Sequence, residues 1–311
     1  MRKTIRIGVV LLVIGLILTM FGIANNGIQS IYWDQGFHVV HQQTRRYRVS
    51  QIKDLTLATD HHVIIKQGTT AGITVTATRS LPQVTTKNGH IMITGTSRTT
   101  QNIGFMLDDI SQTANTVTIT VPKGTTIKQI TAKASQSGNI TLQKITVNQL
   151  QNLSADSNVT LTDVKINHSL SLTGDNLRLT RISAPRLQIN GDPDVTITDS
   201  RFITNASKIT TDEENIRLTN NRFKALKITT SDGDITLNNN HITENLVATT
   251  SDGDIHGMVS RTTGVRASTG DGDLHIFNYS QSDGNNYQVN QSASVQYRLT
   301  TGDGDITVTS N

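Results

Sequence analysis

The chain has no cysteine, four prolines and one tryptophan in 311 residues, and aromatic residues make up only 4% of it. Without cysteine, neither a disulfide framework nor a thiolate zinc or redox centre can form. So few aromatics leave little on which sugars or bases could stack. Apolar residues reach only 35%, low for a globular core of this length. Charge is also nearly balanced, with 28 Lys and Arg against 24 Asp and Glu, a formal net charge of +4. That excess is small and dispersed, and no basic helix or aromatic-basic motif accompanies it, so nucleic acid is not an expected partner.

What the chain does have is a recurring turn. Thr229-Thr230-Ser231-Asp232-Gly233-Asp234-Ile235-Thr236-Leu237 returns at Thr249 to Ile255, at Ser268 to Leu274 and at Thr300 to Val308. Anchoring on the acid or amide before the aliphatic residue gives Asn139, Asn158, Asn176, Asp194, Asn215, Asp234, Asp254, Asp273 and Asp305. Subtracting neighbours gives steps of 19, 18, 18, 21, 19, 20, 19 and 32 residues. A period of about twenty residues is the signature of a solenoid. Such a rod buries only a narrow file of side chains per coil, which reconciles the poor apolar content with a folded protein.

The phase of the coils can be read directly. Residues two apart in a strand share a face. One inward file is Ile140, Val159, Leu177, Val195, Ile216, Ile235, Ile255, Leu274 and Ile306, and a second lies two residues on, from Leu142 to Val308, with Gly257 interrupting it. The strand before each turn adds Leu153/Ala155, Leu170/Leu172, Leu187/Ile189, Leu226/Ile228, Leu246/Ala248, Val265/Ala267 and Tyr297/Leu299. A third position holds Ile145, Val164, Ile182, Phe202, Phe223 and Ile242, which puts the two phenylalanines on neighbouring coils. Outward between the files stand Thr141, Thr160, Arg178, Thr196, Arg217, Thr236, His256, His275 and Thr307. The fold class expected is all-β: a parallel β-solenoid of about 19–20 residues per coil over 123–311. Residues 280–290 form a polar insertion, and the coil ending at Val308 is expected to be lightly capped.

Upstream, 52–122 carries short β-branched runs such as Val63-Ile64-Ile65 and Val117-Thr118-Ile119-Thr120-Val121, and is expected to be a β-rich N-terminal cap. Residues 25–51 are expected to be a linker. Its Arg45, Arg46 and Arg48 are either a solvated charge run or a contact for anionic polymer or lipid headgroups. Residues 7–24 are uncharged and apolar, and 1–6 carry Arg2, Lys3 and Arg6. The expectation is a single-pass transmembrane helix with a cytoplasmic N-terminus and an extracellular C-terminal bulk. The alternative is a secreted protein, cleaved near Gly22-Ile23-Ala24.

These features together carry a resemblance. The segment Val117 to Gly124, the Ser137-Gly138-Asn139-Ile140 turn and the repeated Ser/Thr-x-x-Gly-Asp-Ile turns resemble the bacterial putative-adhesin domain family of LiaG-like Gram-positive envelope proteins, over roughly Leu55 to Val308. The resemblance implies a stacked β architecture outside the membrane and a role in adhesion or envelope stress. It supplies no catalytic residues. Asp156-Ser157-Asn158 and Pro193 depart from the family's tidier repeats.

The candidate site residues are two carboxylate files, Asp232, Asp252, Asp271, Asp303 and Asp234, Asp254, Asp273, Asp305. Like charges stacked at sheet spacing repel, so a counter-ion such as calcium is one way to relieve them. The other reading is that Asp and Gly serve turn geometry and backbone hydrogen bonding. His256 and His275, expected in one outward file on successive coils, are a candidate weak metal or pH-sensitive pair. His61 and His62 are adjacent in a strand and point to opposite faces. No nucleophile-elbow, zincin or phosphate-loop spacing is present. The chain therefore reads as a non-enzymatic binding module of the cell envelope, with cell-wall polymer, glycan or envelope protein as partner. An accessory of envelope-stress signalling and a carbohydrate-active enzyme are the alternatives.

Overall fold

The structure is a computed structural model that describes residues 2–24, 31–33, 37–39, 42–78, 80–95, 115–282 and 285–311. From Thr126 the chain winds as a flattened rod of two facing sheets. Each coil lays one strand in a front sheet, such as Ile235–Asn238, and one strand or a bent pair in a back sheet, such as Arg222–Phe223 with Leu226–Thr229. Successive coils pair in parallel and in register, as in Val159↔Leu177↔Val195↔Ile216↔Ile235↔Ile255. The expected all-β, mostly parallel stack is thus what the chain forms.

Alternation of aliphatic and polar residues is the cause. The two front files, Ile140 to Ile306 and Leu142 to Val308, are buried, and they face Leu170, Leu172, Leu226, Ile228, Leu246 and Leu299 of the back sheet. Each such side chain contributes about 1.5–3 kcal/mol when fully buried. Phe202 and Phe223, both fully buried, stack with centroids 5.1 Å apart and planes at 22°. One pair was misphased: Leu153 is 46% exposed and Ala155 is also exposed, while Leu150 and Asn152 point inward. The reason is a local demand. The Asn152 amide spans the turn, with its Nδ2 donating to Ser154 O and Ser157 Oγ, so it takes the buried position.

The turn after each of the six front strands from Ile140–Gln143 to Ile235–Asn238 is made by a non-glycine residue in the left-handed region. Lys144, Asp163, Arg181, Asp199, Asn220 and Asn239 have φ between 53° and 56°. Asn and Asp tolerate that conformation best, and the file is weighted towards them. Behind it, the N–H groups of Ser200 and Asn221 donate to Asn221 Oδ1 (2.9 Å) and Asn240 Oδ1 (3.0 Å), an amide ladder that satisfies the buried edge.

Both ends differ from expectation. Asp54–Thr59 and His62–Gly68 pair in parallel with Thr126–Ala132 and Ile140–Gln143 on one side and with His90–Gly95 and Thr116–Pro122 on the other, so much of the expected cap continues the rod and the ladder has no break at 122. Capping falls to antiparallel strands, Gly72–Ala77 and Gln83–Lys87. Gln43–Arg48 adds to Gly72–Ala77 as an edge strand, so Arg45, Arg46 and Arg48 are not linker residues. The rest of the expected linker includes a short hairpin, Ile31–Trp33 with Phe37–Val39. Residues 25–30, 34–36 and 40–41 lie outside those described.

At the other end the last coils stack out of chain order. Leu246 pairs with Tyr297, and Tyr297 with Val265; Ile255 pairs with Ile306, and Ile306 with Leu274. The final segment, 296–310, is therefore inserted between two coils that precede it. Edge protection accounts for this. Tyr279–Gln281 folds back antiparallel on Leu274–Ile276, and Asn285–Val289 on Gly264–Thr269, so the polar insertion is the end cap. With that outer edge taken, the last segment can pair only on the inner one. The coil ending at Val308 is enclosed, not lightly capped.

Among the described residues no helix is long and apolar enough to cross a membrane. The helix backbone itself runs 23 residues, Arg2–Ala24. The large apolar side chains described on it, from Ile5 to Phe21, are all exposed.

Candidate functional site

The Asp-Gly-Asp turns connect back to front sheet on one edge of the rod, and their chemistry is turned inward. Thr230, Thr250, Thr301 and Thr269 are buried at 3–6% exposure. Each hydroxyl accepts the N–H of the glycine three residues on, at 3.0–3.3 Å. Each also donates to a carbonyl of the coil beneath, as Thr250 Oγ1 does to Ser231 O at 3.0 Å. Paired N–H groups of the next turn share one carbonyl, with Ser251 and Asp252 both donating to Ser231 O. Glycine is required at the centre. A Cβ on Gly233, Gly253, Gly304 or Gly272 would lie 2.0–2.2 Å from the carbonyl oxygen of the adjacent coil.

The second carboxylate file is a hydrogen-bonded ladder. Asp254 N donates to Asp234 Oδ1, Asp305 N to Asp254 Oδ1 and Asp273 N to Asp305 Oδ1, at 2.7–2.9 Å. Backbone N–H groups thereby supply the relief that like charges in a stack demand. The first file, in the spatial order Asp232, Asp252, Asp303 and Asp271, is exposed. Among the described residues no group of three or more His, Cys, Asp or Glu is placed to hold a metal ion. Asp234, Asp254 and Asp305 thus act as acceptors within the turn stack.

The histidines separate. Thr307 lies between His256 and His275 because the last segment is inserted there, so the two do not form a neighbouring pair. His256 Nε2 is 3.8 Å from Asp254 Oδ2, and His275 Nδ1 is 3.0 Å from Ser280 Oγ. His61 is buried and His62 faces outward towards Thr141 Oγ1 at 2.9 Å, on opposite faces as the alternation requires. Burial lowers the His62 pKa below its ordinary value.

On the opposite edge, the left-handed turns alternate in charge: Lys144, Asp163, Arg181, Asp199. Arg181 Nε and Nη2 hold the Asp163 carboxylate at 2.6 and 3.0 Å. That hydrogen bond lowers the Asp163 pKa. Where this edge meets the inserted segment there is a groove of about 540 Å³, lined by Asn240, His241, Ser260, Thr263, Ser294 and Tyr297 among others. The Tyr297 hydroxyl donates to Asn240 O at 3.1 Å, and burial raises its pKa, so the phenol stays protonated.

The outer face of the front sheet presents the expected threonine file, Thr141, Thr160, Thr196, Thr236 and Thr307, interrupted by Arg178, Arg217 and His256. A second file beside it holds Thr162, Thr180, Thr198 and Thr219. The outer face of the back sheet carries basic residues that the sequence reading missed. The available signal was the residue between each inward pair: Lys208 between Ser207 and Ile209, Lys227 between Leu226 and Ile228, Arg298 between Tyr297 and Leu299.

No curated protein matches the chain. Among solved structures it is similar to a putative adhesin from Bacteroides fragilis, at 17% identity over 86% of this chain and 97% of that one, with a TM-score of 0.44. A putative adhesin from Parabacteroides merdae matches at 10% identity, 85% and 95% coverage and a TM-score of 0.33. A putative cell adhesion protein from Clostridium sporogenes matches at 10% identity, 88% and 100% coverage and a TM-score of 0.22. At these identities and scores no residue's role carries across. The family model of Toastrack DUF4097 matches residues 52–309, the stretch that holds the recurring turns and the inward files. The chain belongs to the Toastrack DUF4097 family.

Proposed function

We propose that this chain is an extracytoplasmic binding module of the cell envelope, adhesin-like and held at the membrane by the helix Arg2–Ala24. The observation that carries the reading is the outer face of the front sheet. In-register stacking presents hydroxyl groups on two files, with Thr162, Thr180, Thr198 and Thr219 on four successive coils about 4.8 Å apart and Thr160, Thr196 and Thr236 on every second coil, roughly 10 Å apart. A surface fixed by the ladder loses little conformational entropy on binding, which suits contact with an extended, repetitive partner.

The exposed aliphatic side chains of the helix support the anchor, because such a surface is costly in water and favourable in hydrocarbon. Arg2, Lys3 and Arg6 set its orientation, with the rod outside. The partner is a cell-wall polymer, a glycan or an envelope protein, and the reading is of a binding module, not an enzyme.

The test is retention of residues 42–311 on isolated cell wall, mucin and whole cells at physiological salt. Saturable retention supports the reading; none on any of the three counts against it. Alkaline extraction and protease accessibility of the full chain test the anchor. Release of new reducing ends from polysaccharide would count against a purely binding role.

A further inference from the structure

Like charges stacked in register destabilise a sheet, and two parts of this fold relieve them. The Asp234 ladder is capped by N–H donors, and the left-handed turns alternate Lys144, Asp163, Arg181 and Asp199. The outer face of the back sheet is different. Arg201 pairs in register with Arg222, Lys208 with Lys227, and Arg298 with Arg266. All six are exposed. Their remaining neighbours in the same files carry no permanent charge: Ser183 beside Arg201, His241 beside Arg222, Gln188 beside Lys208, Val247 between Lys227 and Arg298, and Gln288 beside Arg266. Among the described residues none of the six makes an ion pair, and Glu244 is paired with Lys224 at 3.5 Å. The fold thus keeps unrelieved cation pairs on one face while the carboxylates gather on the turn edge.

We infer that this face docks a linear phosphodiester polymer lying along the rod, an inference that rests on the reading of the chain as a binding module. Cations on adjacent coils are about 4.8 Å apart, so the ligand must bring closely spaced anions. A phosphodiester directs its two free oxygens apart and bridges a guanidinium or ammonium on one coil to that on the next. Arginine forks and lysine point charges are the two side chains that hold phosphate most effectively. The chain's few aromatics offer no row of rings for bases, which favours a polymer without them over nucleic acid.

The test uses the full chain in zwitterionic detergent, titrated with poly(glycerol phosphate) and, separately, polyglutamate and single-stranded DNA of matched charge. Poly(glycerol phosphate) is expected to bind tightest. The double variant R222Q/K227Q is expected to weaken it at least about tenfold and to lower the slope of log K against log salt by about 2, one per contact removed. The same variant should melt no lower than wild type, since it relieves repulsion. K53Q/K87Q makes the same charge change at the N-terminal cap and should leave binding unaltered. Equal loss in both double variants would reduce the effect to net charge and overturn the inference. Tighter binding of polyglutamate or DNA overturns the phosphodiester assignment. If wild type retains envelope material but R222Q/K227Q loses none, this face is wrong while the binding-module reading stands. If wild type holds neither polymer nor envelope material, both fail.

Discussion

Deleting residues 296–311 tests the inverted stacking of the last coils. In the structure this segment lies between Asn245–Thr249 and Gly264–Thr269 on the back sheet, and between Ile255–Val259 and Leu274–Ile276 on the front. It brings Tyr297, Leu299, Ile306 and Val308 into the core, each 0–3% exposed. At about 1.5–3 kcal/mol per side chain, the loss is roughly 6–12 kcal/mol before any ladder hydrogen bond is counted. That is the size of a whole domain's net stability. Solenoid coils touch only their neighbours, so the damage should stay local. Residues 264–289 lose their only mate and should exchange amide hydrogens at unfolded rates, while coils up to Asn238 keep their protection. Peptide-level hydrogen exchange reads this directly. A chain stacked in sequence order would behave otherwise, with Leu274–Ile276 still seated on Ile255–Val259 after the deletion. Retained protection at 264–276 would therefore refute the inserted-segment account.

Other outcomes follow from the same geometry. Gly304→Ala sets a methyl 2.2 Å from Gly253 O and should cost about 2–4 kcal/mol, whereas Gly257→Ala meets Val308 at 3.6 Å and should stabilise by about 0.5–1 kcal/mol; opposite shifts in thermal midpoint are expected, and equal ones would contradict the stacking of the turns. Phe202→Ala and Phe223→Ala should each cost about 3–5 kcal/mol, with a double-mutant coupling of about 0.5–1.5 kcal/mol from the ring contact, measured by denaturant unfolding. His62 has its pKa lowered by burial, so the folded state binds fewer protons than the unfolded one. Its contribution is complete above pH about 6.5 and is lost as pH falls below that, and His62→Gln should flatten the melting temperature between pH about 7 and 5. The same sign holds for Asp163, whose bond to Arg181 is complete above pH about 4 and lost below it, so an Asp163 carboxyl resonance should titrate below its value in Arg181→Gln.

The turn residues were legible in type but not in use. A sequence shows that carboxylates recur every twenty residues, and their mutual repulsion invites a cation. It does not show that Asp254, Asp305 and Asp273 each donate an N–H to a neighbour's carboxylate, because that bond needs the depth of the stack. The basic face was hidden for a related reason. Arg201 and Arg222 are separated by a full coil, and a net charge of +4 averages over faces that the fold keeps apart. Leu153 was misread because apolar character alone cannot reveal that Asn152, spanning its turn with hydrogen bonds, has the stronger claim on the interior.

By itself the sequence determined the period, the inward aliphatic files, the outward threonines and the meeting of Phe202 with Phe223, since each of these is a local alternation repeated coil by coil. Tertiary structure alone decided the order in which the last coils stack. Ile255, Leu274 and Ile306 are interchangeable as inward aliphatics, so either order satisfies the pattern. Tyr279–Gln281 and Asn285–Val289 each fold back on a strand of the preceding coil and occupy its outer edge, which forces the final segment inward.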